Sequence, residues 1–193
     1  MKAIESKEAK EKRAKRNQLI VAVVMAAILL VSSLGYSFYS KEDTDTKRVK
    51  YGNTIFLLNE NGFWQTTINE LDFTTRFNPS ELENISIPLF ISSNSYLNKP
   101  LYLVSESAQE KEAVTELARS LGYFSSRMQP SCVEGRQCLI EDLPVKNCSD
   151  NIIILTEKNK TKIWKEDNCV FIESEDLVRA ADAFIFKVLG IKQ

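Results

Sequence analysis

Residues 101–122 read LYLVSESAQEKEAVTELARSLG. Leu101 to Ser105 form an apolar run of strand length. Ser107 and Glu110 then stand at the spacing of a capping box. Val114, Leu117, Ala118 and Leu121 recur at i, i+3, i+4 and i+7, one face of a helix, and Gly122 is expected to stop it. A strand feeding a helix predicts a second strand returning parallel to the first, over Tyr123–Met128, by a right-handed crossover. This unit assigns the chain to the α/β class.

The pattern extends outward from there. Pro88–Ser92 is expected to be a short strand. Ile152–Leu155 is apolar throughout, as in a strand buried on both faces. Lys158-Asn159-Lys160 is expected to turn it, and Thr161–Trp164 and Cys169–Glu173 to follow as strands. A last helix is expected to begin near Ser174, with Glu175 and Asp176 placed well against its dipole. Leu177, Val178, Ala181, Phe184, Ile185, Val188 and Leu189 give it a wide apolar stripe. Gly190 and Ile191 predict a Schellman ending. The expected domain, residues 85–193, carries two principal helices on a mainly parallel or mixed sheet.

Upstream, the expected structure is a three-stranded meander in the segment 51–84. Thr54–Leu58 would lead through an Asn61-Gly62 turn to Phe63–Ile68, and a turn at Asn69-Glu70 to the alternating Leu71, Phe73, Thr75 and Phe77. Residues 41–50, KEDTDTKRVK, read as a charged linker. Before it, Asn17–Ser40 reads NQLIVAVVMAAILLVSSLGYSFYS without a charge. As a helix it would be about 36 Å long, against a bilayer core of about 30 Å. It is expected to be an uncleaved transmembrane helix, longer than the apolar core of a signal peptide. A small-residue site at Ser33–Gly35 keeps cleavage open as the alternative. Ala22 and Ala26 form a small-xxx-small pair on which two such helices could pack.

Residues 1–17 carry seven Lys/Arg and three Glu, a net of +4; the remaining 18 basic and 23 acidic residues give −5. The basic tail 1–16 is therefore expected inside and the acidic domain outside, a single pass through the cell membrane. An acidic domain offers no basic patch for nucleic acid. The chain contains no histidine, which excludes a Ser-His-Asp set and any imidazole metal ligand. No cofactor motif occurs.

The four cysteines are Cys132, Cys138, Cys148 and Cys169. An even count outside the membrane favours disulfides, and the closest spacing, C-x5-C, is wider than a zinc knuckle uses. Four cysteines allow three pairings, of which Cys132–Cys138 and Cys148–Cys169 are expected. Asn84, Asn147 and Asn159 head N-glycosylation sequons, with Asn159 expected at a hairpin tip. Scattered carboxylates select no catalytic pair. Asp182, mid-helix between alanines, is expected to pair with Arg179 at i,i+3.

The residues Asn147-Cys148-Ser149-Asp150-Asn151 and Trp164-Lys165-Glu166-Asp167-Asn168-Cys169-Val170-Phe171-Ile172, followed by Ala180-Ala181-Asp182 and Leu189-Gly190-Ile191, carry a family likeness. They resemble an uncharacterised group of small archaeal membrane-anchored proteins. The resemblance implies a basic tail, one span, a short β unit and a cysteine-containing α/β part; it implies no activity and no functional residue.

The expected function is that of a non-enzymatic envelope or membrane-complex component, whose partners are the lipid bilayer and a protein. The alternative is an extracytoplasmic hydrolase using carboxylates near the carboxyl ends of the strands, with Ser105, Glu106 and Glu173 as first candidates. A deep pocket with converging carboxylates would favour the enzyme. A flat apolar patch holding Trp64 or Phe186 would favour the binding module.

Overall fold

The computed structural model describes residues 7–39, 47–105, 110–136, 138, 140 and 142–191. It divides into two units, residues 1–45 and 46–193. The first contains helix α1, Lys7–Tyr39. Its side chains are described from Lys15 to Val31, and all of them are exposed. Among the described residues no helix is long and apolar enough to cross a membrane.

The second unit is a mixed α/β domain. Strands β1 (Arg48–Tyr51), β2 (Thr54–Leu58), β3 (Trp64–Ile68) and β4 (Leu71–Thr75) form an antiparallel sheet in that order. The sheet has one strand more than the sequence pattern predicts. β1 runs into the stretch read as linker, because Val49 and Tyr51 alternate inward and Gly52, at φ 57°, lets the chain reverse onto β2. The two-residue turn is not at Asn61-Gly62. Asn59 instead accepts the N–H groups of Asn61 and Phe63 through Oδ1, at 3.0 and 2.9 Å, and stretches the loop to residues 59–63. The tight turn lies at Asn69-Glu70, where both residues take positive φ, 49° and 66°, as a type I′ turn requires.

Strands β5 (Pro100–Ser105), β6 (Arg127–Pro130), β9 (Ile152–Glu157), β10 (Lys162–Glu166) and β11 (Cys169–Ser174) form the central sheet in the order β10-β11-β9-β5-β6. All neighbours are parallel except β10 against β11. The short strands β7 (Cys132–Val133) and β8 (Val145–Lys146) pair with each other in a separate two-stranded parallel sheet. Leu101, Leu103, Ile153, Leu155, Val170 and Ile172 face the core shared with helices α2 (Lys111–Leu121) and α3 (Leu177–Val188). Tyr102, Val104, Ile152, Ile154 and Cys169 form a smaller cluster on the opposite face.

Several local expectations are corrected. Among the described residues Pro88–Ser92 pairs with no strand: Leu89 N–H bonds to the Ile87 carbonyl at 2.8 Å, and Pro88 brings no donor. The Ser107 side of the α2 capping box lies outside the described residues. Gly122 ends α2 in right-handed conformation, and its missing side chain matters for clearance: a Cβ there would stand 2.7 Å from the Ala118 carbonyl oxygen. α3 starts at Leu177, capped by Asp176, whose Oδ1 accepts Arg179 N–H at 3.0 Å. Its end is the expected Schellman motif, with Gly190 at φ 73° and Ile191 N–H on the Phe186 carbonyl. Asn159 sits in the connection from β9 to β10, which crosses the end of β11. It is exposed, but it is not a hairpin tip; the hairpin is β10–β11.

Candidate functional site

In an open α/β sheet the ligand crevice lies beyond the carboxyl ends of the strands, where the chain reverses its direction of travel across the sheet. Here β5 crosses through α2 to β6 on one side, and β9 lies on the other. The reversal point is therefore the end of β5. Ser105 stands there, in one row with Leu155 and, through it, Ile172. Glu173 is one residue further along β11, paired with Thr156. Successive residues of a strand point to opposite faces, so Glu173 faces away from the side that Ser105 occupies. Glu106 lies outside the described residues. The two described hydrolase candidates are thus not brought together.

A crevice opens where β6 leaves β5, lined by Ser105, Ser131, Cys132, Arg136 and Ile140 among others. Its volume is about 40 Å³, and one water requires some 10–15 Å³. No carboxylate lines it among the described residues. Ser131 is 4% exposed, and its hydroxyl has no partner among the described residues. An unmet buried hydroxyl costs free energy, so Ser131→Ala should raise stability by roughly 1 kcal/mol, read as a higher denaturant midpoint. A lower midpoint would mean that the hydroxyl is bonded to solvent in the crevice.

Two further clusters of ionisable groups occur among the described residues. On the face opposite the helices, Arg127 donates to the Tyr102 hydroxyl at 2.8 Å, and Lys146 Nζ lies 4.5 Å from the ring centre. Hydrogen bonding to both cations lowers the pKa of the phenol. Lys146 is raised by its contacts with that phenol and with Asp150, the latter at 3.5 Å. The Tyr102 side chain is only 1% exposed, so this cluster holds β5, β6 and β8 together and leaves a reactant no entry.

The other cluster joins α2, α3 and the end of β4. Asp182 is fully buried, and its Oδ2 accepts the backbone N–H groups of Arg76 and Phe77, each at 2.9 Å. Burial pushes its carboxyl up to about 8, and the Glu116 charge adds to this. Burial likewise raises Glu116, which Arg119 meets at 3.2 Å. Arg76 pairs with Glu112, and Arg76 and Arg119 both lie over the Phe63 ring. The expected Asp182–Arg179 pair is not formed: the Arg179 guanidinium bonds to the Glu81 carbonyl and covers Phe77. Asp182 was traceable in the sequence, because with Val178, Ile185 and Leu189 it falls on the buried stripe of α3.

The expected cysteine pairing is present. Cys132–Cys138 and Cys148–Cys169 have Cα atoms 5.5 and 5.0 Å apart, within the range disulfides use. Asn84 and Asn147 are exposed, as is Asn159, and Asn147 Oδ1 accepts the Ser149 hydroxyl at 2.6 Å. Trp64 and Phe186 are buried, at 6% and 0%. They form no surface patch, because each faces the core between the antiparallel sheet and α3, where Phe56 meets Phe186 edge to face at 5.5 Å. No protein-family model, curated protein or solved structure matches the chain.

Proposed function

We propose that the chain is a single-pass membrane-anchored protein, with its basic tail in the cytoplasm and a disulfide-bonded α/β domain outside. Its work there is binding, as a component of the envelope or of a membrane complex. The observation that carries this reading is α1. Leu19, Ile20, Val21, Val23 and Val24 are all at least half exposed, as are Met25, Ile28, Leu29, Leu30 and Val31. A helix apolar on every side has no single stripe to bury against a domain; it requires lipid or an enclosing protein around it. In sequence the uncharged run continues to Ser40. The two disulfides support an oxidising compartment for the domain.

Among the described residues the hydrolase candidates do not converge, since Glu173 and Ser105 occupy opposite faces of the sheet.

Topology provides the test. Protease added to intact cells or right-side-out vesicles should digest the domain and spare residues 1–39. Digestion only after lysis would put the domain inside and refute the proposal.

A further inference from the structure

Between the two sheets, residues 83–99 run without a strand, and one side chain there stands wholly in solvent. Phe90 is 108% exposed, while Ile85, Ile87 and Ile91 beside it are buried. Those isoleucines fix the segment to the core and hold the ring outward. Leu97, further along the segment, is 48% exposed. A shallow hollow of about 500 Å³ lies against Phe90, between Leu89, Ser92 and Ser95 on one side and Lys187 and Gly190 of the α3 terminus on the other. Lys99 reaches its edge, donating to the Ser95 carbonyl at 3.2 Å. No acidic residue lines it among the described residues.

We propose that this hollow docks onto a lipid surface. Phe90 enters the interfacial layer, and Lys187 and Lys99 face anionic headgroups. An exposed aromatic side chain with lysines beside it is a pattern by which peripheral elements bind such surfaces. Charge also argues against a second copy as the occupant, because a symmetric contact would bring lysines onto lysines.

The inference rests on the membrane-anchored reading of the chain, and chain length supports it. The described domain begins at Lys47, whose carbonyl accepts Leu58 N–H at 2.9 Å. From there β1 places Val49 opposite Phe56, which touches Phe186, the neighbour of Lys187 on α3. Seven residues, 40–46, separate α1 from the domain, a length of at most about 25 Å when extended.

The test uses the full chain in lipid nanodiscs, either zwitterionic or containing phosphatidylserine, with hydrogen exchange read over residues 83–99. Exchange should slow several-fold when phosphatidylserine is present, and Phe90→Ser or Lys187→Glu should abolish the slowing. Both substitutions are at the surface, and unchanged exchange in β9 will show that the fold is kept. Equal exchange in both kinds of disc, with the chain retained in the lipid, overturns the docking surface and leaves the anchor standing. Release of the chain from membranes by alkaline carbonate overturns both. Slowing that follows protein concentration in lipid-free detergent would identify a second copy as the occupant and also overturn the proposal.

Discussion

Replacing Asp182 by asparagine should remove most of the domain's loss of stability between pH 4 and pH 8. The Asp182 carboxyl titrates at 3.8 when unperturbed and at about 8 in the fold. Between those values the native state holds a proton that the unfolded chain releases. Stability from this group is therefore complete below pH 4, falls as pH rises, and is gone above about 8. The displacement sets an upper limit on the order of 5 kcal/mol, at about 1.4 kcal/mol per tenfold change. Local relaxation and water entry reduce it, and a loss of roughly 2–4 kcal/mol is the expected result. Glu116, raised in the same direction, adds to the slope, while Arg76 and Arg119 oppose it.

Asparagine keeps an oxygen where Oδ2 accepts the Arg76 and Phe77 N–H groups, and it carries no charge at any pH. The variant should match the wild type near pH 4 and exceed it at pH 9, as read from thermal unfolding of the full chain across that range. Asp182→Ala should also lose the slope, but lie about 3 kcal/mol below the asparagine variant at every pH, because the Arg76 and Phe77 N–H groups lose their acceptor. An unchanged slope in the asparagine variant would show that the buried acid is not its source.

What the sequence disclosed about this cluster follows from distance along the chain. The stripe on α3 is written within its own residues, and Asp182 could be seen to lie on it. Its partners could not be seen, because they are backbone groups 105 and 106 residues away, just before the Asn78–Glu81 capping box, whose sequence marks a turn but not what packs against it. The same division runs through the fold. β5 and α2 were legible because strand and helix periods are local properties, and so was the Schellman end of α3. Pro88–Ser92 was misread because its apolar residues fit a strand, whereas strand formation also needs an open sheet edge opposite. β1 is hidden because Arg48 and Lys50 read as the end of the charged stretch 41–50, and only the inward turn of Val49 and Tyr51 sets it apart. At the reversal point of the sheet, Ser105 was correctly placed at a strand end. That Glu173 faces away follows from register, which depends on neighbouring strands.

Removing the Cys148–Cys169 bridge should cost about 3 kcal/mol, the chain-entropy value for a loop of this length. The two cysteines are 21 residues apart, and the loop they close contains β9 and β10. Cys169 is fully buried at the first position of β11, opposite Ile152 of β9. Beside the bridge, Asn168 N–H bonds to the Cys148 carbonyl at 3.1 Å, and Ile152 N–H to the Asn168 carbonyl at 3.2 Å. The bridge therefore pins the point at which the central parallel pair enters register. Cys132–Cys138 closes only six residues, and Cys138 is exposed. Its removal should cost about 2 kcal/mol by the same relation, felt at β7, β8 and the crevice beside Ser131. Denaturant unfolding of the two double-alanine variants should reproduce that order, and reductant should lower the wild-type midpoint to below either variant. Equal losses from both bridges would mean that loop length is not what sets their contribution. Non-reducing peptide mapping that linked Cys132 to Cys148 or Cys169 would remove the basis for the comparison.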